Sequence, residues 1–250
     1  MTSNNHHQQG TEKGHDVSDP FITHVWEFNT EVDRARAEDN IQRGAERCAE
    51  EVPPRFVNAT VTDDRVAAWV RHLVANAASR PMMPKIAKGD SLLITGGFGV
   101  GKTHQAYGAM RALAASGVSC IWRYASAADL YGTLRDYDRG NVEERLEKYS
   151  KAAVLFLDDL GAEKWSEAKD EINYRLLNYR YEYRLPTLIT TNLPLKPDPD
   201  DPDQETLPMR LGERVTSRLT GMVETIEIEG RDRRPEVRRE EKRRRRGDAA

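Results

Sequence analysis

Apolar residues along this chain follow two periodicities, and the alternation between them predicts the architecture. Five short stretches read as strand-like runs: Ser91 to Thr95, Val118 to Tyr124, Ala152 to Leu157, Thr187 to Thr191 and Val223 to Ile228. Runs of this length suit strands buried on both faces. Between them the pattern turns helical, in segments starting at Lys102, Ser126, Val142, Ser166 and about Thr206. Strands alternating with helices predict an α/β fold, a five-stranded parallel sheet with helices on both faces. Ahead of the first strand, Val66, Trp69, Val70, Leu73 and Ala77 mark one face of a helix that Asp63 or Asp64 can cap. That helix is expected to pack on the sheet domain.

The same pattern divides the chain. Residues 1 to 24 are polar and read as a disordered leader, in which the pair His6-His7 is too short to argue for a metal. Residues 25 to 52 are charged and helix-permissive, with apolar positions too sparse for a core of their own, which suits a small arm or a partner-binding helix. Pro53-Pro54 then breaks the chain, and the main domain is expected over 53 to 234. Within it the loop Leu195 to Asp203, rich in Pro and Asp, cannot be a helix interior or a central strand. No internal repeat is present.

Composition adds three points. The net charge of −3 over 250 residues hides an asymmetry: Arg231 to Arg246 carries ten Lys or Arg against four acids. The basic tail, 235 to 250, suits either a phosphate backbone or a solvated, disordered charge run. Cys48 and Cys120 stand far apart with no Cys or His at metal-ligand spacing, which argues against a disulfide framework or a zinc site and suits a reducing cytoplasm. No stretch has the length of a membrane span and Met1 to Asp19 lack a signal core, so a soluble cytoplasmic protein is expected.

Directly after the apolar run Leu92-Leu93-Ile94 comes Gly96-Gly97-Phe98-Gly99-Val100-Gly101-Lys102-Thr103, followed by His104. Two glycines four residues apart before Lys-Thr form a phosphate-binding loop. Small glycines let backbone N–H groups turn inward around a triphosphate, Lys102 can neutralise its outer phosphates, and the Thr103 hydroxyl can hold Mg²⁺. The apolar run Val154-Leu155-Phe156-Leu157 ends in Asp158-Asp159, which places carboxylates at the C-terminal edge of a parallel sheet, where ligands bind. Asp158 is the candidate to hold the metal and Asp159 to polarise an attacking water. A third buried run, Thr187 to Thr191, ends in Asn192, suited to orienting water or reading the γ-phosphate, although Asn also ends strands for turn reasons.

Taken in order, the phosphate loop, Asp158-Asp159-Leu160-Gly161-Ala162-Glu163-Lys164, Asn178-Tyr179-Arg180-Tyr181, Thr190-Thr191-Asn192-Leu193-Pro194 and Leu211-Gly212-Glu213-Arg214-Val215-Thr216-Ser217-Arg218-Leu219 resemble one family. They look like the AAA+ ATPases of the bacterial and phage replicative helicase loaders and their relatives, the IstB-like transposition helper ATPases. The resemblance covers about Pro53 to Arg234. It implies that the residues from Gly96 through His104 hold ATP, with Mg²⁺ on Thr103 and Asp158. It implies also that Asp158 and Asp159 are the Walker B pair and Asn192 the first sensor. Arg218, with Arg214 one turn before it, falls at the family's arginine finger, which enters the ATP site of a neighbouring subunit; a charged helix face accounts equally for Arg214. Arg234 matches the second sensor, although Arg233 stands where the family has an aromatic.

Two functions follow from the resemblance. One is an ATP-dependent loader that grips a DnaB-type replicative helicase, self-associates into a ring or helix, and delivers the helicase to single-stranded DNA, with hydrolysis driving release. The other is an IstB-like helper that remodels duplex target DNA. The mixed charge of residues 25 to 50 favours the loader, and the basic tail favours the helper. In the stretch Ser126 to Lys151 and just before it, Arg123, Tyr124, Arg135, Arg139 and Lys148 suit phosphates and Tyr131 or Tyr137 suits base stacking, as ordinary packing also would. For Tyr174, Tyr179, Tyr181 and Tyr183, beside Ile172 and Leu176, core packing is expected.

Overall fold

The computed structural model describes residues 31–78, 84–132, 139–164, 166–235 and 239. The leader, the tail beyond Pro235 apart from Arg239, Arg135 and Tyr137 lie outside the described residues, as does the side chain of Arg139. The elements run α1 (Glu31–Glu51), a 3-10 turn at Pro54–Phe56, α2 (Asp64–Ala78), β1 (Ser91–Thr95), α3 (Lys102–Ala115) and β2 (Trp122–Ser126). There follow α4 (Ala127–Gly132), α5 (Arg139–Lys151), β3 (Val154–Asp158), α6 (Glu167–Glu182), β4 (Thr187–Thr190), α7 (Leu207–Met222) and β5 (Val223–Glu227). Ser166 and Thr206 cap α6 and α7, each accepting a backbone N–H three residues on. Gly212 breaks α7, its φ of 75° being a conformation only glycine adopts at little cost. Among the described residues no helix is long and apolar enough to cross a membrane.

All five strands are parallel, in the order β2-β3-β4-β1-β5. Side chains alternate across such a sheet, so each central strand feeds two cores. Leu92, Ile94, Val154, Phe156 and Leu188 face α2 and α3, together with Val66, Trp69, Val70, Leu73 and Ala77 of the predicted amphipathic helix. Leu93, Leu155, Leu157 and Ile189 face the opposite layer of α4, α6 and α7. The predicted sheet with helices on both faces is therefore the observed one.

β3, β4 and β5 differ from their expected spans by one or two residues at an end, and β2 differs most. Residues 118 to 120 do not join the ladder, because Ser119 exchanges backbone hydrogen bonds with Pro84 and Ile86 at 2.9 and 3.0 Å. Pairing with β3 begins only at Trp122, opposite Val154.

The helix α1 is not a detached arm. A Cβ at Gly44 would stand 2.5 Å from the carbonyl oxygen of Ala114, so the two backbones of α1 and α3 meet there. Asn40 donates to the carbonyl of Gly117 and Arg47 to that of Trp122. The segment after α1 continues the contact. The Thr60 N–H donates to His104 Nε2, Thr62 and Asp63 N–H to Gln105 Oε1, and Arg111 to the Ala59 carbonyl. Positions 104, 105, 108 and 111 lie on one stripe of α3.

At the opposite end of the sheet, Arg180 of α6 is 0% exposed. Its guanidinium donates to Thr187 Oγ1 and to the carbonyls of Tyr149, Ser150, Ala152 and Pro186, so one side chain joins the end of α5 to the starts of β3 and β4. Burial lowers its pKa to about 9, which leaves it charged at neutral pH. Of the tyrosines expected to pack in the core, Tyr174 packs against it, and Tyr181 and Tyr183 depart from expectation. Ile172, Leu176 and Leu177 fill the core, whereas Tyr181 is 41% exposed, Tyr183 is exposed, and Tyr179 stacks on Tyr183 at 4.3 Å. Tyr181 and Tyr183 stand at the end of α6, beyond its last buried residue, Arg180.

Candidate nucleotide site

Alternation along the strands assembles the site. On β3, Asp158 shares the face of Val154 and Phe156, turned toward α3; on β4, Thr190 shares that of Leu188; on β2, Tyr124 shares that of Trp122. Because β2, β3 and β4 are neighbours, the three side chains meet at the C-terminal edge of the sheet. The first turn of α3 brings Thr103 to the same place.

The Asp158 carboxylate is buried and accepts from Thr103 Oγ1 at 3.1 Å, from Tyr124 Oη at 2.9 Å and from Thr190 Oγ1. Burial raises its pKa; the hydroxyls of Thr190, Tyr124 and Thr103 oppose that shift, and the neighbouring charge of Asp159 adds to it. A hydroxyl beside a carboxylate is a hard oxygen set of the kind Mg²⁺ prefers, so Thr103 and Asp158 fit that ion.

Beyond the strand end Asp159 takes a positive φ of 57°. Non-glycine residues there carry strain, held here by its own N–H donating to Thr190 Oγ1 at 3.0 Å. Its carboxylate accepts from Asn192 Nδ2 at 2.9 Å, and Asn192 Oδ1 accepts from Lys102 Nζ at 2.6 Å. Asn192 therefore bridges the loop lysine and the second acid. Lys102 Nζ also donates to the carbonyls of Gly96 and Gly97 at 2.8 and 2.6 Å. Its pKa is lowered by burial, partly restored by Asp159 and Asp158, and lowered further by the charge of Arg234.

Gly96 is required by close approach to backbone, and Gly99 and Gly101 take positive φ of 73° and 112°. A Cβ at Gly96 would lie 2.3 Å from the Ile228 carbonyl oxygen, and one at Gly99 would lie 1.9 Å from Asp232 Oδ1. The segment after β5 thus lies on the loop, with the Arg233 N–H donating to the Gly99 carbonyl at 3.1 Å. This brings Arg234 near Lys102 in the same chain. Gly101 caps α3 in a left-handed conformation, so the N–H groups of the helix's first turn are free of a side-chain cap and available to an anion.

Three expected residues stand apart from this cluster. The His104 ring turns away to accept the Thr60 N–H, burial and the charges of Arg233 and Arg111 keep its pKa low, and only its backbone stands in the helix's first turn. Arg218 donates to Asn178 Oδ1 at 2.8 Å and lies over Tyr181; Arg214 lies over Tyr174 at 4.0 Å. Both belong to the α6–α7 face. Phe98 is 68% exposed at the loop tip, while Val100 is buried.

Of the residues suited to phosphate or base contact, Tyr131 is buried and donates to Asn173 Oδ1, and so is closed to stacking. Arg123 faces Glu51 of α1, and Lys148 pairs with Glu144. Sequence reasoning did not find the roles of Tyr124 and Thr190. The available signal was a hydroxyl residue near the C-terminal end of each strand flanking β3, which becomes legible only once strand order is known.

A family model described as IstB-like ATP binding protein matches residues 74–241. The replicative helicase loader DnaI of Bacillus subtilis (strain 168) is 27% identical over 72% of this chain and 58% of its own length. The insertion sequence IS5376 putative ATP-binding protein of Geobacillus stearothermophilus is 30% identical over 43% of this chain and 42% of its own. The chain thus spans about half the length of these relatives. A crystal structure of the DnaC helicase loader superposes with a TM-score of 0.54 at 28% identity, covering 71% of this chain and all of that one.

Proposed function

The chain belongs to the family of IstB-like ATP binding proteins and has their AAA+ fold, and from that premise we propose that it is an ATP-dependent loader of a DnaB-type replicative helicase onto single-stranded DNA. The observation that carries the ATPase reading is the bridge Lys102–Asn192–Asp159 beside the Thr103–Asp158 pair. It joins a phosphate-binding cation, a polarising acid and a metal-holding oxygen set at one sheet edge.

ATP lies along the loop from Gly96 to Thr103, its phosphates on the N–H groups that open α3 and on Lys102, with His104 contributing its backbone only. Mg²⁺ on Thr103 and Asp158 would neutralise charge on the phosphate oxygens. Asp159 polarises the attacking water and Asn192 holds Asp159 and Lys102 in mutual register. Arg234 reaches the nucleotide from the same subunit. Arg218, with Arg214 beside it, serves the site of a neighbouring subunit, where a planar cation stabilises the transferring phosphoryl group. Its place on the α6–α7 face, away from its own loop, supports that role. Catalysis is then positioning plus electrostatic stabilisation, completed by assembly into a ring or helical oligomer. Hydrolysis times release of the loader.

The extent of similarity to the DnaI loader, 72% of this chain against 43% for the insertion-sequence protein, favours the loader. The family model and that relative's 30% identity favour a second reading, a transposition helper acting on duplex DNA. Turnover of ATP with and without single-stranded DNA, by wild type and Arg218→Ala, tests the ATPase; equal, negligible rates in all four would refute it. Affinity capture with ATP bound separates the two functions. Recovery of a replicative helicase supports the loader, and recovery of a transposase overturns it.

A further inference from the structure

Asp158 is held by three hydroxyls, and one of them belongs to neither the phosphate loop nor the strand beside it that leads to Asn192. Tyr124 donates to Asp158 Oδ2 at 2.9 Å from the edge strand β2. Its ring is not packed at random. It stacks on Tyr107 at 5.0 Å between centroids and 23° between planes, and Tyr107 stacks on Phe56 at 4.5 Å and 16°. Phe56 closes the 3-10 turn that follows α1, and Tyr107 stands one turn of α3 after Thr103, the other candidate metal holder. A continuous column therefore runs from the segment behind α1 through α3 to one oxygen of the metal-holding carboxylate.

We propose that Tyr124 is a positioning residue for Asp158, and that the Phe56–Tyr107–Tyr124 column makes the segment following α1 a determinant of the metal site's geometry. The proposal rests on the reading of Thr103 and Asp158 as the Mg²⁺ holders. The physical basis is specific. A carboxylate can rotate about its last bond, and the donors around it decide which oxygen faces the metal. Thr190 reaches Oδ1 alone and Thr103 lies between the two oxygens, 3.1 Å from Oδ1 and 3.2 Å from Oδ2, whereas Tyr124 reaches Oδ2 alone, so the tyrosine opposes Thr190 and the pair fixes a rotation that Thr103 leaves open. Ring stacking removes the side-chain freedom the hydroxyl would otherwise have. The start of the column is itself immobilised: the Ala59 N–H donates to the Phe56 carbonyl at 2.9 Å and Arg111 of α3 to the Ala59 carbonyl. A displacement of α1 by a bound partner would shift Phe56, and with it the hydroxyl on Asp158.

The test measures metal, not turnover. Mn²⁺ binding is titrated by electron paramagnetic resonance on the full chain with a non-hydrolysable ATP analogue, for wild type, Tyr124→Phe, Phe56→Leu and the double variant. Nucleotide affinity in EDTA is measured in parallel. Tyr124→Phe keeps the stack and loses only the hydroxyl, and Mn²⁺ affinity is expected to fall about 10-fold or more, as for outer partners of metal ligands. Affinity for nucleotide in EDTA should change by less than about twofold, and Phe56→Leu should weaken Mn²⁺ binding about threefold. In the Tyr124→Phe background, Phe56→Leu should have no further effect, because its influence passes through the missing hydroxyl. Additive losses, or Mn²⁺ affinity unchanged in Tyr124→Phe while wild type binds the ion, would overturn the positioning role and leave the ATPase reading standing. A wild type with no nucleotide-dependent Mn²⁺ site would overturn both.

Discussion

Replacing Asn192 by Ala severs the bridge between Lys102 and Asp159 while leaving each of its ends otherwise supported. Lys102 keeps the carbonyls of Gly96 and Gly97, and Asp159 keeps the Thr190 hydroxyl on its backbone. The Asn192 side chain is only half-buried, so water replaces its hydrogen bonds in the ground state and the fold should lose less than about 1 kcal/mol. The reaction has no such substitute. Hydrogen bonds to charged groups are worth about 1.5–3 kcal/mol, and each ~1.4 kcal/mol is tenfold in rate, so kcat should fall about 10- to 100-fold. The nucleotide rests on the loop and on Lys102, so KM should stay within about threefold. Steady-state phosphate release against ATP concentration, with the melting temperature as a folding control, reads both. A KM raised in proportion with kcat unchanged would refute the reasoning, because Asn192 would then be a binding residue without a part in aligning Asp159.

Arg180→Leu removes the donor from the carbonyls of Tyr149, Ser150 and Ala152, while the Pro186 carbonyl keeps the Leu155 N–H and the Thr187 hydroxyl keeps the Leu185 carbonyl; at about 1–3 kcal/mol for each buried group left unpaired, the loss is a large share of the stability of a domain, about 5–15 kcal/mol. A melting temperature lowered by about 10 °C or more, or insoluble protein, is expected; a shift under about 3 °C would contradict it. Gly108→Val places a side chain where even a Cβ stands 2.5 Å from the Thr60 carbonyl carbon, so the 57–63 segment must leave α3. It should cost about 1–3 kcal/mol in chemical denaturation and expose the segment to limited proteolysis. If Arg218 serves a neighbour's site, mixing Lys102→Ala with Arg218→Ala subunits should restore part of the turnover that neither has alone, and no recovery across mixing ratios would place Arg218 outside catalysis.

The local elements were legible because their signals are local. Short runs of strand-forming residues marked all five strands, and the starts of α3, α6 and α7 fell at Lys102, Ser166 and Thr206, where the phosphate loop and two hydroxyl caps announce them. The misjudged start of β2 has the same cause seen from the other side. Val118 to Cys120 read as part of a strand, but the N–H and carbonyl of Ser119 are taken by Pro84 and Ile86, which no local pattern reveals.

What the chain itself determined is the chemistry on offer: a glycine loop ending in Lys102-Thr103, two acids after a buried strand, and a polar residue after another. Each depends on residue types a few positions apart, so it can be read without knowing which elements are neighbours. The fold alone decided which of these groups meet. The strand order places β3 between β2 and β4, so that Tyr124 and Thr190, on opposite sides of β3 in sequence, share one carboxylate. The same order brings Asn192 to Lys102 across 90 residues and buries Arg180 among carbonyls from three different elements. Such contacts are set by which strands are neighbours, which is a property of global packing and is not encoded in spacing along the chain.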